Sequence, residues 1–376
     1  MIINSTQTGN FSKPAPEIIA EKLLTWFNPA ARPMPWRTLD PEGPLPSAYG
    51  IWISEIMLQQ TQVATVIPYW KRWMKTLPDI STLARAREEE VIKLWEGLGY
   101  YNRARNILKA ARFICTHYKG IFPKHPEEII ALAGIGRYTA GAICSIAYNL
   151  PCPIVDGNVI RLLCRLYALS IPAATASSKT SEPIWQLSAE LVQSADKIHH
   201  PMGCSFFNQA MMDMGATLCT PQSPDCNHCP LTKLCSAFQQ GNPLDYPLRK
   251  SAPPLTRRED IALYCRDSKD RVLISRRPPG VRNHGFWQLP MLEETKWEAA
   301  YHQFAKINLI LGKGLLCKVS HNITRYQITV FLYPGQIDGK LSLDENLRFV
   351  SEEELKTLPV THSHRKLLKK MDEKLF

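Results

Sequence analysis

The sequence predicts a mainly α-helical N-terminal part followed by a smaller α+β part. Apolar residues recur at helical spacing in successive segments between residues 15 and 235. Over residues 239–255 the composition then shifts to proline, glycine, lysine and arginine, which is typical of a linker. Beyond that stretch, short apolar runs bounded by turn residues are typical of β-strands. The change of pattern predicts two domains of different class.

Prolines mark the joints between the predicted helices, because proline disrupts a helix interior. Pro78, Pro123 and Pro151 are examples. The segments with helical periodicity are Ile18–Phe27, Ile51–Ile67, Val91–Leu98, Ala104–Tyr118, Glu127–Leu132, Tyr138–Tyr148, Val159–Ala168, Ile184–Val192 and Phe206–Gly215.

The C-terminal part contains the strand signals. The predicted strands are Ile261–Cys265, Arg271–Ser275, Ile328–Tyr333 and Arg348–Val350. The segment Asp267–Asp270 separates the first two strands and has the composition of a tight turn. We therefore expect these two strands to form a hairpin.

The composition points to a polyanionic partner. The 376 residues carry a formal net charge of +11 at pH 7, and 45% of them are hydrophobic. This basic excess favours nucleic acid first and an anionic membrane surface second. No apolar run approaches the roughly 18 residues needed to span a bilayer. Met1–Asn10 has neither the basic start nor the long apolar segment of a secretory signal. We therefore expect neither a transmembrane nor a secreted protein.

A glycine-containing turn between two helical patterns is the first candidate functional feature. Gly134 and Gly136 would form the turn, and the backbone N–H groups that open the next helix favour an anion such as a phosphate. Asp156 follows that second helix. A hairpin that binds phosphate and supplies one carboxylate suits chemistry on nucleic acid. The same pattern also fits an ordinary helix–turn–helix in which Asp156 caps a helix.

Four cysteines close the helical part. Cys219, Cys226, Cys229 and Cys235 have the spacing C-x6-C-x2-C-x5-C, and four thiolates within so short a segment predict a compact metal site. Zinc and a [4Fe–4S] cluster both accept four cysteine ligands. Four protein ligands leave no open coordination position, so a structural role is favoured over a catalytic one.

These features together resemble the helix-hairpin-helix DNA glycosylase superfamily, in its endonuclease III-like branch. The hairpin Leu132–Ala142, Asp156 and the four cysteines occur in the family's order and at its distances. In that family the cysteines hold a [4Fe–4S] cluster. The resemblance implies a mainly α helix-hairpin-helix glycosylase core with this cluster, plus a C-terminal α+β Nudix-like domain. The implied boundaries are 1–238 for the core, about 126–148 for the hairpin, 219–235 for the iron–sulfur loop, 239–258 for the linker and 259–376 for the Nudix-like domain.

Tyr138 distinguishes two kinds of chemistry within the branch. Members with lyase activity carry a lysine at this position, and a lysine amine can form a Schiff base with the sugar. A tyrosine cannot, so the resemblance implies a monofunctional glycosylase. Further motifs resemble MutY-type adenine DNA glycosylases. They are Pro35–Arg37, Ser54–Thr61, Gly97–Tyr101 and Phe207–Gly215.

Glu55 and Asp156 are the candidate catalytic carboxylates. Glu55 is off the apolar stripe of its helix, where a solvated glutamate would be the default. The resemblance instead makes Glu55 the acid that protonates N7 of adenine. It makes ionised Asp156 the group that stabilises the cationic sugar, following the two-carboxylate logic of glycoside hydrolysis. Tyr138 would assist near the same sugar.

The resemblance also implies a set of base-binding and DNA-binding residues. Trp36 and Arg37 would form the adenine pocket, and Gln209 would bond to the base. Gln60 and Tyr100 would wedge into the base stack around the opposite base. The full set in the core is Trp36, Arg37, Leu58, Gln60, Thr61, Tyr100, Gly134, Gly136, Asn158 and Gln209.

Residues 259–376 resemble the Nudix-like domain that recognises 8-oxoguanine opposite adenine. The acidic helix signature of Nudix hydrolases is missing after Pro290, which implies binding without hydrolysis. The family's lesion-recognition loop is usually Phe-Ser-His, and the corresponding residues here are Val319, Ser320 and His321. Ser320 would accept the N7–H of 8-oxoguanine and His321 would hold a base edge or phosphate. Val319 cannot stack as phenylalanine does.

The function implied by the resemblance is removal of adenine mispaired with 8-oxoguanine or guanine in base excision repair. The alternatives are another mismatch or oxidised-base glycosylase of the superfamily, and a catalytically silent mismatch-binding protein. The implied partner is double-stranded DNA that contains A·8-oxoguanine or A·G mispairs, with no membrane. We expect a monomeric, intracellular, DNA-associated protein, located in the cytoplasm or nucleoid if it is bacterial.

Overall fold

The computed structural model describes residues 14–172, 181–248, 254–281, 283–323 and 325–373. The chain divides into two compact units. The first comprises Met1–Leu94 and Asn102–Ser251, and the second comprises Trp95–Tyr101 and Ala252–Phe376. The first unit is helical and the second contains the β-sheets, so the predicted fold class is confirmed.

The helices before residue 249 follow the predicted periodicity with few exceptions. They are α1 Pro16–Ala30, α2 Ala48–Leu58, α3 Val63–Thr76, α4 Ile80–Arg85, α5 Glu88–Trp95, α6 Asn102–Tyr118, α7 Pro126–Ile130, α8 Arg137–Tyr148, α9 Gly157–Leu166, α10 Glu182–Asp196, α11 Gly203–Thr217 and α12 Ser236–Gln239. Within the described parts of the chain, none of the helices is long and apolar enough to cross a membrane.

The single helix expected over Ile51–Ile67 is wrong, because α2 and α3 are separate helices. The chain turns at Gln60, which has a positive φ of 59°. Arg103, on α6, donates from Nη1 to the carbonyls of Ile56 at 2.6 Å and Gln59 at 2.8 Å. A guanidinium satisfies carbonyls at a helix C-terminus, where the dipole favours positive charge. Contacts from a distant residue therefore stabilise the end of α2.

Two helices form the centre of the helical unit. All residues of α2 from Tyr49 to Met57 are buried, and α11 is buried from Gly203 to Met211. Helix α2 packs on α8, and α11 packs on α1, α8 and α9. Each large apolar side chain buried there contributes about 1.5–3 kcal/mol. Polar residues on α2 and α11 are therefore held inside the unit.

The predicted hairpin is present as α7, a turn and α8. Gly134 lies in the turn with φ of +79°, a left-handed conformation that favours glycine. On α8, a Cβ at Gly141 would lie 2.1 Å from the carbonyl oxygen of Pro153. Only glycine permits this approach, which fixes the segment leading to Asp156 against α8.

In the described residues of the second unit there are two sheets and three helices. Its elements are β1 Thr256–Tyr264, β2 Val272–Arg276, β3 Trp287–Gln288, β4 Met291–Leu292, α13 Trp297–Ala305, β5 Leu309–Leu311, β6 Cys317–Ile323, β7 Tyr326–Ile337, β8 Leu347–Val350, α14 Glu352–Thr357 and α15 His362–Asp372. The first sheet has the order β4-β1-β7-β5, with β6 also pairing β7, and the second has the order β3-β2-β8. Strands β1 and β7 are parallel, with Thr256 opposite Tyr326.

Both faces of the first sheet are buried, because successive residues of β1 enter different cores. Ala262 belongs to a core that includes Leu367 of α15, whereas Leu263 belongs to one that includes Phe304 of α13. The turn at Asp267–Asp270 is confirmed, since Asp267 N donates to the carbonyl of Arg271. The predicted hairpin is confirmed only next to this turn, where Arg266 pairs antiparallel with Val272 and Leu273 N donates to the carbonyl of Cys265. Beyond these residues β1 and β2 belong to different sheets.

Candidate active site

A cavity of about 750 Å³ in the helical unit contains most of the predicted site residues. It is formed by the chain after α1, the C-terminal end of α2, the start of α8, the start of α9 and one face of α11. The predicted residues that line it are Trp36, Arg37, Glu55, Leu58, Gln60, Thr61, Gly136, Tyr138, Asp156, Asn158 and Gln209. Residues far apart in sequence thus share one cavity.

Glu55 is buried in this cavity, although its position off the apolar stripe would by default make it a solvated residue. Only 5% of Glu55 is exposed. The hydroxyl of Tyr138 donates a 2.8 Å hydrogen bond to Oε2 of Glu55. Burial raises the pKa of Glu55 to about 7, and the charge of Asp156 adds to this rise; the Tyr138 hydrogen bond and Arg37 oppose it. Glu55 is therefore a carboxyl group that still holds a proton near neutral pH.

Asp156 is the second carboxyl group of the cavity and the N-cap of α9. Its Oδ1 accepts a 2.8 Å hydrogen bond from the Val159 N–H, and its Oδ2 accepts one of 2.9 Å from Nδ2 of Asn158. Burial raises the pKa of Asp156, and these hydrogen bonds, together with Arg161, limit the rise. The predicted helix cap is confirmed, and the same carboxyl group also borders the cavity.

Tyr138 has a second neighbour that the sequence did not suggest. Its hydroxyl lies 3.2 Å from Sδ of Met212, on α11. Burial, followed by the nearby carboxyl groups of Glu55 and Asp156, holds the pKa of Tyr138 well above its ordinary value. The phenol therefore keeps its proton. Met212 lies within the motif Phe207–Gly215, and its position on the same helix face as Gln209 was the available signal.

Asp213 forms a buried ion-pair network that sequence reasoning missed. Its side chain has no exposed surface, and its Oδ2 accepts a 2.7 Å hydrogen bond from Nη1 of Arg37. Its Oδ1 accepts a 3.0 Å bond from Nε of Arg32. Burial alone would raise the pKa of Asp213, but the two guanidinium groups lower it overall. The carboxylate therefore fixes Arg37 at the cavity and balances its charge.

Gln209 and Trp36 provide a polar group and an apolar wall. Nε2 of Gln209 donates to the carbonyl and to Oγ of Ser205, both at 3.2 Å. Its Oε1 is buried and has no hydrogen-bond partner among the residues that the structure describes. Such a group is costly unless a ligand supplies a donor. The Trp36 ring lies 5.8 Å from that of Trp70.

Comparisons with known proteins show the family to which this chain belongs. The model of the HhH-GPD superfamily of base excision DNA repair proteins matches residues 53–187, and a NUDIX domain model matches residues 261–370. The chain is 35% identical over 272 residues to the adenine DNA glycosylase of Buchnera aphidicola subsp. Baizongia pistaciae (strain Bp), covering 72% of each. The chain belongs to the adenine DNA glycosylase family.

Other members of the adenine DNA glycosylase family are longer. The chain is 46% identical over 221 residues to the enzyme from Mus musculus, which covers 58% of this chain and 41% of that protein. It thus spans less than half of the length of the mammalian relatives that it matches. Among solved structures, a thermostable thymine-DNA glycosylase has 25% identity and a TM-score of 0.51, covering 60% of this chain and 97% of that one.

Some predicted residues of this family member lie outside the cavity. Gly134 lies in the hairpin turn, two residues before Gly136, the first hairpin residue that lines the cavity. Tyr100 belongs to the segment Trp95–Tyr101, which groups with the second unit, and it is 51% exposed. Ser320 and His321 also lie in the second unit.

The lesion-recognition loop expected from the adenine glycosylase resemblance is a strand. Val319, Ser320 and His321 all lie within β6, where neighbouring side chains point to opposite faces. Oγ of Ser320 is exposed and lies 2.9 Å from Oγ1 of Thr329 on β7. Val319 is buried in the core, which explains why an aliphatic residue suits this position. Ser320 and His321 therefore do not share one surface.

The four cysteines of the C-x6-C-x2-C-x5-C motif border one small cavity at the end of the helical unit. Its apolar walls include Leu162, Leu166, Leu218, Leu231 and Phe238. Nη1 of Arg165 donates to Sγ of Cys219 at 3.4 Å, and Sγ of Cys235 donates to the Arg165 carbonyl at 3.4 Å. Within the described ranges, no three His, Cys, Asp or Glu side chains are arranged to hold a metal ion.

Proposed function

We propose that this protein is a monofunctional DNA glycosylase that removes adenine paired with 8-oxoguanine or guanine in base excision repair. The observation that carries the proposal is the buried Glu55, with a pKa of about 7, in the same cavity as Asp156. Several relatives of 35–48% identity are named adenine DNA glycosylase, which supports adenine as the base.

Glu55 acts as the general acid. Adenine leaves deoxyribose poorly, so the base must be protonated as the N-glycosidic bond breaks. A catalytic acid is most effective when its pKa is close to the working pH, and burial brings the pKa of Glu55 there. We propose that Glu55 transfers its proton to N7 of adenine, as the family resemblance implies.

Asp156 stabilises the developing positive charge on the sugar. Its hydrogen bonds from Val159 and Asn158 favour the ionised carboxylate and fix its direction. One protonated and one ionised carboxyl group in the same cavity are the two groups that glycoside hydrolysis requires. Water completes the reaction at the sugar carbon and leaves an abasic site.

The cavity can recognise an adenine that has left the duplex. Enzymes that act on a base take it out of the stack and bind it in a pocket. The buried Oε1 of Gln209 can accept a hydrogen bond from the exocyclic amine of adenine. Trp36 gives the base an apolar surface, and Arg37 is held in place by Asp213.

Tyr138 supports base removal without strand cleavage. It occupies the position at which lyase members of the superfamily carry a lysine, and its phenol stays protonated. It cannot form a Schiff base with the sugar. Its hydrogen bond to Glu55 makes it part of the acid machinery instead.

The hairpin and the charge of the chain support binding to double-stranded DNA. Gly136 is the N-cap of α8, and no side chain caps that end of the helix. Its first N–H groups can therefore bind a backbone phosphate, favoured by the helix dipole. The net charge of +11 adds non-specific attraction. We assign to Gln60 and Tyr100 the role of residues that wedge into the base stack; both have a positive φ. We expect the protein to act as a monomer.

The second unit is proposed to recognise 8-oxoguanine. Ser320 is exposed, so its hydroxyl can accept the N7–H that distinguishes 8-oxoguanine from guanine. The opposite orientation expected for His321 makes Ser320 the stronger candidate of the two. A Ser320→Ala variant should lose part of its preference for A·8-oxoguanine over A·G and retain its rate on A·G.

The four cysteines are proposed to hold a [4Fe–4S] cluster. Their donor set consists of thiols alone, which fits such a cluster. Each thiolate of a four-cysteine cluster binds a different iron, so the thiols need not converge on one point. The cluster would link α9 to the loop 219–235 as a structural element. Iron and sulfide analysis of the purified protein and of Cys229→Ser tests this assignment.

The deciding experiment is a single-turnover assay of free adenine release from duplexes that contain A·8-oxoguanine, A·G or A·T. We expect release from the first two, an intact strand until alkali is added, and no product trapped by borohydride. Glu55→Gln should abolish release. The proposal fails if the iron-loaded protein releases no adenine but releases thymine from a G·T duplex, or if borohydride traps it efficiently.

A further inference from the structure

Among the residues that the structure describes, the hydroxyl of Tyr138 has two hydrogen-bond acceptors for its one proton. Oε2 of Glu55 lies 2.8 Å from its oxygen, and Sδ of Met212 lies 3.2 Å from it. A hydroxyl donates one hydrogen bond and can accept others. When Glu55 is ionised, the phenol donates to the carboxylate. When Glu55 is protonated, either the phenol donates to the acid or the acid donates to the phenol. Met212 favours the second arrangement, because its sulfur can then accept the hydrogen bond of the phenol.

We propose that Met212 is a positioning residue that accepts a hydrogen bond from the Tyr138 hydroxyl while Glu55 is protonated, so that the phenol oxygen accepts a hydrogen bond from the acid. The inference rests on the proposed glycosylase function and deepens it. A chain Glu55 O–H to Tyr138 O–H to Met212 Sδ satisfies all three groups. A thioether is a weak acceptor, so Met212 stabilises the protonated form of Glu55 only modestly and does not stabilise the ionised form.

The other charged groups around Glu55 act independently of Met212. Asp156 faces Glu55 from the segment before α9, and Arg37 faces it from the segment after α1. The charge of Arg37 is balanced by Asp213. Arg137 borders the same cavity and forms an ion pair with Glu182. None of these interactions uses the Met212 sulfur, so its removal leaves them in place.

Replacement of the half-buried Met212 by leucine removes the acceptor and conserves the side-chain volume. Of the two acceptors found among the described residues, Glu55 alone then remains, and the phenol of Tyr138 donates to it in both protonation states. This favours the ionised carboxylate. The alkaline midpoint of the rate profile should move down by about half a pH unit, a roughly threefold loss of rate above the midpoint.

The experiment measures single-turnover adenine release against pH for the wild type, Met212→Leu and Met214→Leu. Met214 is a buried methionine on the same helix and serves as the matched control. We expect a lower midpoint for Met212→Leu with an unchanged plateau at lower pH, and no shift for Met214→Leu. In a Tyr138→Phe background, Met212→Leu should cause no shift, because no hydroxyl remains to redirect.

The inference is overturned if the Met212→Leu profile superimposes on that of the wild type, or if its shift persists in the Tyr138→Phe background. Met212→Ile, which also lacks the acceptor, replaces Met212→Leu if that variant does not fold. A wild type that releases no adenine would refute the proposed function itself. The two failures are therefore distinguishable.

Discussion

Nη1 of Arg37 lies 2.7 Å from Oδ2 of Asp213, and the side chain of Asp213 has no exposed surface. This contact joins the segment after α1 to α11, residues that are 176 positions apart in sequence. Arg37 is close enough to Glu55 to lower its pKa. Asp213 therefore has two effects: it compensates the buried charge of Arg37, and it limits the influence of that charge on Glu55, the proposed catalytic acid.

Asp213→Asn should destabilise the helical unit and impair the acid. The amide cannot balance Arg32 and Arg37, and removal of one partner of a buried ion pair costs about 3–5 kcal/mol. The uncompensated guanidinium of Arg37 should also lower the pKa of Glu55. Thermal unfolding and the pH profile of adenine release measure the two effects. Glu352→Gln, at an exposed pair with Lys356, is the control and should leave Tm unchanged; an equal Tm for both variants would contradict the argument.

The rate of adenine release should depend on pH as a bell. Glu55 must be protonated, so the rate should fall about tenfold per unit as the pH rises above the pKa of about 7. Asp156 must be ionised, so the rate should fall again at low pH, below a pKa that burial has raised. The two carboxyl groups interact, and the midpoints belong to the pair. A rate that stays constant from pH 7 to pH 9 in single-turnover assays would exclude Glu55 as the acid.

The cap and the catalytic role of Asp156 can be separated by two substitutions. Asparagine is as good an N-cap as aspartate, so Asp156→Asn should keep the stability of the fold but lose its negative charge and thus most of the activity. Asp156→Ala loses the cap as well, which costs about 1 kcal/mol. Chemical denaturation and single-turnover assays give the two readouts. Substantial activity in Asp156→Asn would show that the carboxylate is not needed at the sugar.

The parts of the fold that could be predicted from the sequence are those that depend on residues close together in the chain. Helices leave a periodic pattern, and Gly134 marks the hairpin turn because its φ of +79° favours glycine. Asp156 was recognisable as a helix cap because capping depends on nearby residues. Glu55 was found through its motif, whereas periodicity alone placed it off the apolar stripe.

The parts that could not be predicted depend on contacts between distant residues. Arg103 ends α2 from 44 or more positions away, so the break before α3 has no local signal. The pairing of Arg32 with Asp213 spans 181 positions. Helix α2 is buried on all sides, which an amphipathic pattern does not reveal. The raised pKa of Glu55 follows from that burial and was equally hidden.

Arg165→Lys should weaken the loop that carries the four cysteines. The guanidinium donates to the carbonyls of Thr220 at 2.7 Å and Tyr246 at 3.1 Å, as well as to the thiol of Cys219. A lysine ammonium cannot reproduce the planar set of N–H donors of the guanidinium, and the lost hydrogen bonds lower the free energy of unfolding by about 3 kcal/mol. Tm and the iron content per chain should both fall. Arg87→Lys, at an exposed position, is the matched control. An unchanged iron content in Arg165→Lys would show that the Arg165 guanidinium does not support the cysteine loop.

Glu55→Gln should be more stable than the wild type at alkaline pH. The pKa of Glu55 is about 7 in the folded protein and 4.5 in the reference state, so between these values the folded state binds the extra proton. Stability therefore falls as the pH rises from 4.5 through 7, because the buried group must ionise at a cost of at most about 3 kcal/mol. Glutamine never ionises and avoids this cost.

The difference in Tm between Glu55→Gln and the wild type should be several degrees at pH 8.5 and should shrink as the pH is lowered towards 5. Glu90→Gln, at an exposed residue whose ion pair with Arg87 lowers its pKa, should show no such gain. A gain in stability that accompanies the loss of base release would mean that the fold tolerates an ionisable group in a buried position because the reaction needs its proton. A Tm difference that does not change with pH would contradict this account of Glu55.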